Sequence, residues 1–197
     1  MISGNNNSCV PRTGVCYLQI IYPRGVGKNV GRGLRMKAVV SVDQNWGIGY
    51  KGNLLLKIPE DMKFFKQMTV GKVVVMGRGT YESLPGKEPL KDRTNIVLST
   101  NRDFRDNRVI SCHSLDDLLQ ELRKYPSDDI CVIGGESLFQ LLMPYLDELY
   151  VTKIRHTFPA DRHFRNVDED DNWRVESEGE LHTYNDIQYS VVKYVRK

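Results

Sequence analysis

From Met36 to the C-terminus, short β-branched and apolar runs alternate with stretches spaced for helices, and this alternation limits the chain to few architectures. Ala38-Val39-Val40-Ser41-Val42, Lys72–Met76, Asn95–Leu98, Val109–Cys112, Ile130–Ile133 and Leu149–Ile154 read as buried strands. Between them lie helical signals. Pro59-Glu60-Asp61 opens one, with Met62, Phe64, Phe65 and Met68 on its apolar side. Leu115, Leu118, Leu119 and Leu122 space a second over 115–124, and Glu136–Leu142 forms a third, stopped by Pro144. Gly77-Arg78-Gly79-Thr80 turns a strand into a further short helix. Trp173–Glu178 and Gln188–Val195 read as a closing antiparallel pair. The pattern predicts an α/β fold: one domain over 36–197, a mostly parallel eight-stranded sheet with helices on both faces and an antiparallel C-terminal strand.

Composition narrows the class. Of 197 residues, 40% are hydrophobic and 27% charged, which excludes disorder and fibrous repeats. No apolar run approaches the roughly 18 residues of a membrane span. The net charge of +3 is misleading, because residues 1–35 hold five of the 28 basic residues and no acid. The remaining 23 basic residues face all 25 acids, so the body is slightly acidic and offers no footprint for nucleic acid. In the Gly- and Asn-rich segment 1–35 the apolar stretch Val15–Tyr22, broken by Gln19, is short for a signal peptide, and the Arg-bearing, acid-free start could be a transit peptide but has few serines and little amphipathic pattern. It is expected to be an extension, disordered or not translated natively, with translation starting at Met36. Cys9, Cys16, Cys112 and Cys131 suit inert reduced thiols of a cytoplasmic protein. The four histidines are scattered, and no metal site is expected.

Gly47-Ile-Gly49-Tyr-Lys-Gly52 matches G-x-G-x-x-G, but no helix opens at its third glycine and no acid follows a second strand. A mobile Gly-rich loop over Asn45–Lys57 is the better reading. Two strand-to-helix turns, Gly77–Thr80 and Gly134-Gly135-Glu136, offer free backbone N–H groups suited to phosphate. Together they could hold the two ends of a dinucleotide. Asp61 stands among Ile58, Met62 and Phe65, with Thr152 on a strand that could lie beside it. A carboxylate in such an apolar cleft binds an amidine-like ring edge bidentately. No nucleophile–base arrangement stands out.

In this order, AVVSVDQNWGIG (38–49), IPEDMKFFK (58–66), VVVMGRGTYES (73–83), RTNIVLS (93–99), VIGG (132–135) and LYVT (149–152) resemble the dihydrofolate reductase family. The resemblance covers Ala38 to Val195. It implies NADPH-dependent reduction of 7,8-dihydrofolate to tetrahydrofolate, with hydride passing to pterin C6 and a proton to N5. Asp61 then corresponds to the acid that binds the pterin, and Thr152 to the threonine that buttresses it. Val39 and Phe65 correspond to pterin walls, and Met62, Leu84, Leu90 and Ile133 to the surrounding pocket. Arg93 corresponds to the partner of the substrate's glutamyl α-carboxylate. For NADPH, the resemblance implies Ser41 and Ile48 at the nicotinamide and Gly77, Arg78, Gly79 and Thr80 at phosphate. It implies Ser99 and Thr100 with Arg78 at the 2′-phosphate, and Gly134, Gly135, Glu136, Ser137 and Leu138 at the second turn, with a cis Gly134–Gly135 peptide. Asn45–Lys57 becomes a lid over the nicotinamide. A cytoplasmic monomer is implied, with no membrane or nucleic-acid partner.

Three positions depart from the family pattern. Leu56 replaces a lid tryptophan, Phe139 a tyrosine near the nicotinamide, and Ser137 an arginine for which Arg102 or His113 could compensate. Two alternatives belong to other classes: a reductase of a pyrimidine intermediate in riboflavin synthesis, which would not need Asp61 with Arg93, and a non-catalytic dinucleotide- or pterin-binding protein.

Overall fold

The computed structural model of the chain describes residues 34–197. The expectations for 1–33, including Cys9 and Cys16, lie outside the described residues. The elements follow as β1 (Met36–Val42), β2 (Gly47–Gly49), α1 (Pro59–Thr69), β3 (Val73–Gly77), α2 (Arg78–Glu82), β4 (Thr94–Leu98), β5 (Ile110–Cys112), α3 (Leu115–Leu122), β6 (Ile130–Gly134), α4 (Glu136–Leu142), β7 (Leu146–Ile154), β8 (Arg162–His163), β9 (Trp173–Glu178), β10 (His182–Tyr184) and β11 (Ile187–Arg196).

The main sheet has nine strands in the order β10-β11-β7-β1-β6-β3-β4-β5, with β9 also paired to β11. Every pair from β7 through β5 is parallel. The pairs made by β11 are antiparallel. The mostly parallel sheet with an antiparallel C-terminal part is therefore as the sequence predicts. The count of eight strands is corrected to nine by β10, and β2 pairs with β8 in a separate two-stranded ribbon. These additions are two or three residues long, too short for an alternating pattern to develop. Strands β10 and β11 are joined through Asn185 and Asp186, both at positive φ (47° and 60°), a turn whose twist suits a tight hairpin.

Alternation along the strands builds two apolar layers. Ala38, Val40, Val73, Val75, Ile96 and Val132 form one core with Leu118 and Leu122 of α3 and Leu138, Phe139 and Leu142 of α4. On the other face, Val74, Met76, Val97 and Cys131 meet Tyr81 of α2. Helix α1 lies on that second face, where the Phe64 ring is 6.3 Å from that of Tyr150. Cys112 and Cys131 are buried free thiols, as expected. Burial pushes the Cys112 thiol up to about 11, aided by Glu121, so it stays protonated and inert at neutral pH. Among the described residues, no helix is long and apolar enough to cross a membrane.

The consequence for function is one of position. Strands β1, β3 and β6 run parallel, so their C-terminal ends, at Val42, Gly77 and Gly134, share one edge of the sheet. Chain connections leave β1 in one direction toward β3 and leave β6 in the other toward β7. Open α/β sheets bind ligands outside the carboxyl ends of strands, where the order reverses in this way.

Candidate active site

The connection after β1 brings an acid to this edge. Pro59 presets the first turn of α1, and Ile58, 1% exposed, seats the approach against Ile154 and Tyr189. That geometry leaves Asp61 in the first turn, turned toward the sheet. Thr152 Oγ1 donates to Asp61 Oδ1 at 2.5 Å, and Ser41 Oγ donates to Asp61 Oδ2 at 2.7 Å. Thr152 is buried, whereas Asp61 and Ser41 are half-buried. Among the described residues, no basic side chain forms an ion pair with Asp61. A carboxylate has about four lone-pair sites, two on each oxygen. Each oxygen of Asp61 therefore keeps one site for a flat partner bearing two adjacent N–H donors.

The other end of α1 holds a guanidinium. Arg93 Nε donates to Thr69 Oγ1 at 2.8 Å, and an Arg93 terminal nitrogen donates to the Lys91 carbonyl at 2.6 Å. Buried Thr69 in turn donates to the Phe65 carbonyl at 2.7 Å. Burial lowers the Arg93 pKa, and the Asp92 charge partly opposes this. No acid ion-pairs with Arg93 among the described residues. Asp61 and Thr69 are eight residues apart, or roughly 12 Å along the helix axis. One helix thus carries an acceptor pair at one end and, through Thr69, anchors a cation from the segment before β4 at the other. Leu84, Leu90 and Ile133 cluster on the second apolar layer. Val39, 7% exposed, alternates with the core-facing Ala38 and Val40 and so shares the face of Ser41. Phe65 is half-buried, but Met62 is 44% exposed, so no apolar neighbours enclose it.

The two glycine turns converge at the same edge. Met76 is the register partner of Gly134, and the Gly134–Gly135 peptide is cis. A Cβ on Gly77 would sit 3.9 Å from the Gly134 oxygen and the Gly135 nitrogen; one on Gly135 would sit 3.1 Å from Thr80 Oγ1. Side chains at these positions would fill the space between the strand ends, and glycine leaves it open for a ligand to approach the backbone. Gly79 has nothing within 4 Å of its Cβ position, so no close approach demands glycine there. Arg78 is exposed and pairs with Glu82 at 3.6 Å. Ser99 is buried, Thr100 is exposed, and the Ser99 carbonyl is 3.0 Å from His113 Nδ1. Arg105 lies 3.1 Å from His113 Nε2, on the far side of that ring.

The segment after β1 is fastened rather than loose. Asp43, 3% exposed, accepts from the backbone N–H groups of Asn45 (2.9 Å), Gly47 (2.8 Å) and Phe158 (2.9 Å). Lys51 N donates to Asp161 Oδ2 at 3.0 Å, and Asp161 N donates to the Gly49 carbonyl at 3.0 Å. No helix opens at Gly52, and α1 begins only at Pro59, in keeping with the rejected dinucleotide fingerprint.

Comparison with known proteins decides what this edge belongs to. Residues 35–196 match the family described as dihydrofolate reductase. The dihydrofolate reductase of Bacillus subtilis (strain 168) is 38% identical over 163 residues, covering 81% of this chain and 93% of that one. That of Staphylococcus aureus (strain N315) is 32% identical over 166 residues, covering 83% and 99%. Among solved structures, dihydrofolate reductase from Enterococcus faecalis complexed with NADP(H) and RAB-propyl aligns with a TM-score of 0.74 at 32% identity, covering 84% of this chain and 97% of that chain. The chain belongs to the dihydrofolate reductase family.

Within this dihydrofolate reductase fold, Asp61, Thr152 and Ser41 meet at the N-terminal end of α1, Val39 shares the sheet face of Ser41, Phe65 follows one turn further along the helix, and Arg93 lies at its other end. Gly77, Thr80, Gly134 and Gly135 meet at the strand ends. Leu138 stands apart: it is 3% exposed within the core, so only its backbone is available to a ligand. Ser137 is exposed. Phe139 is buried edge-on against Phe164, with ring centroids 4.9 Å apart, and lies 3.6 Å from the Cβ position of Gly134. Leu56 is half-buried against the Ile58, Ile154 and Tyr189 cluster. Sequence reasoning missed Asp43, Asp161, the Thr69 clamp on Arg93 and the Ser41–Asp61 bond. An acid four residues before a glycine in a loop is the turn signal that could have pointed to Asp43.

Proposed function

We propose that the chain carries out its family's reaction at this edge, reducing 7,8-dihydrofolate to 5,6,7,8-tetrahydrofolate with NADPH. The observation that carries this reading is Asp61, clamped by two hydroxyls and left with one open acceptor site on each oxygen. Its carboxylate accepts from the pterin N3–H and 2-amino group, fixes the ring on the sheet edge and favours the protonated ring without touching N5. Val39, Phe65, Leu84, Leu90 and Ile133 wall the ring and its substituent from water, with Met62 at the open rim. Arg93 receives the glutamyl α-carboxylate, a planar, bidentate task that lysine does poorly.

The open backbone at Gly77, Gly134 and Gly135 fits a pyrophosphate, and bound NADPH supplies the hydride for pterin C6. Ser41 and Ile48 line the nicotinamide end. Backbone groups of Gly77 to Thr80, the Thr80 hydroxyl and the turn Gly134–Leu138 hold the phosphates. Arg78, Ser99 and Thr100 lie toward the adenosine 2′-phosphate, with His113 standing behind Ser99. The segment Asn45–Lys57 covers the nicotinamide. The protein acts as a cytoplasmic monomer on small molecules, without nucleic acid or membrane.

The test is loss of reduced-nicotinamide absorbance on addition of dihydrofolate. Asp61→Asn should lower kcat/KM by at least about 100-fold with the fold intact, because it replaces one acceptor oxygen and removes the charge. Unchanged activity in that variant would remove Asp61 from the mechanism.

A further inference from the structure

The hydroxyl of Ser41 does something that lining a cofactor pocket does not require. It lies 2.7 Å from Asp61 Oδ2, whereas Thr152 holds Oδ1. A carboxylate anchored through one oxygen still turns about its Cβ–Cγ bond, because that torsion has a broad profile. A second donor, on the other oxygen and from another strand, removes that freedom. Ser41 and Thr152 are direct register partners across the parallel pair β1–β7, where neighbouring strands lie about 4.8 Å apart. The two hydroxyls therefore straddle one carboxylate from adjacent rungs.

We infer that Ser41 is a positioning residue: its hydroxyl sets the plane of the Asp61 carboxylate so that one lone pair of each oxygen faces the paired N–H donors of the substrate ring. This inference deepens the dihydrofolate reading and rests on it. A serine has a single O–H to donate, and here it is committed to Asp61. Ser41 thus acts on the substrate side of the site, and its hydroxyl contributes little to holding the nicotinamide.

Calorimetric dissociation constants for dihydrofolate and for NADPH separate the two roles. Ser41→Ala should weaken dihydrofolate binding about tenfold, the low end for a hydrogen bond to a charged group. NADPH binding should stay within about twofold of wild type, and Ser41→Thr, which keeps the hydroxyl and suits a strand, should restore dihydrofolate affinity. In an Asp61→Asn background, Ser41→Ala should change neither constant. A loss that falls on NADPH, or an equal dihydrofolate loss in both backgrounds, overturns the inference. A crystal structure of ligand-free Ser41→Ala gives a second readout. The carboxylate plane should turn by tens of degrees, and an unmoved plane refutes the positioning role. If wild-type protein binds no dihydrofolate, the functional reading fails on that result, and the carboxylate plane still decides whether Ser41 orients Asp61.

Discussion

At the scale of single residues, the site depends on polar groups that restrain other polar groups. Arg93 shows this best. Its Nε is occupied by Thr69 and one terminal nitrogen by Lys91, so the guanidinium is held in a fixed attitude. Lysine has one nitrogen and cannot both anchor on Thr69 and present a two-pronged face to a carboxylate. Arg93→Lys should therefore raise KM for dihydrofolate about tenfold and leave kcat within about twofold, since charge-assisted bonds at a remote carboxylate bind ground state and transition state alike. Steady-state kinetics with 7,8-dihydropterin, which lacks the glutamyl tail, supply the control: its KM should be indifferent to the substitution. An equal penalty on both substrates would mean that Arg93 acts by supporting the end of α1. Arg93 is reached only through the family resemblance, whereas the Asp61–Thr152 pairing could be anticipated from the residues themselves. The Thr69 and Ser41 bonds could not. Each joins segments some twenty residues apart, and only the docking of α1 on the sheet brings them together.

At the scale of elements, the loop that follows β1 is organised by two carboxylates of unequal weight. Asp43 is buried and satisfies three backbone N–H groups; Asp161 makes an exposed contact with Lys51 N. Asp43→Ala orphans all three donors and should destabilise the protein by about 2–4 kcal/mol, since each buried, unsatisfied group costs roughly 1–3 kcal/mol and the loop relaxes in part. Asp161→Ala should cost less than about 1 kcal/mol, because water replaces the lost acceptor. Urea unfolding of the two variants side by side measures the difference, and equal midpoints would show that Asp43 is not the keystone. The same contrast marks what the sequence could reveal. The parallel strands and α1, α3 and α4 were legible within a few residues because burial on both faces or along one stripe writes a period into the chain. The pairing of β2 with β8 was not, since three and two residues of strand carry no period. The fit at Gly47 was equally hidden: its Cβ would fall 2.7 Å from that of Ala160, a residue over 100 positions away.

At the scale of the whole molecule, carboxylates tie down the antiparallel half of the sheet, and this gives stability a defined dependence on pH. Burial pushes the Asp168 carboxyl up, but hydrogen bonds from Lys153 (2.5 Å) and Tyr194 (2.6 Å) outweigh it, and the net shift is down. Glu148 follows the same pattern, with burial opposed by Lys193 and Tyr150. In Asp170, burial is outweighed by the backbone and side-chain amides of Asn172 and the charge of Arg165. A carboxyl lowered on folding adds stability above its unfolded value, near about 4, and loses it as pH falls through the folded value. Tyr194 is shifted the other way, raised by burial and by its bond to Asp168. Its contribution is complete below the unfolded tyrosine value near about 10 and disappears as pH climbs through the folded one. One hydrogen bond thus shapes both limbs of the stability profile. Urea midpoints measured from pH 3 to pH 11 should plateau between about pH 5 and pH 9 and fall on either side. Asp168→Asn should lower the plateau and make the acid limb shallower, so that variant and wild type converge at low pH. Tyr194→Phe should leave the acid limb steeper than Asp168→Asn does and flatten the alkaline limb instead. Parallel curves for all three proteins would mean that the Lys153–Asp168–Tyr194 cluster adds no pH-linked stability.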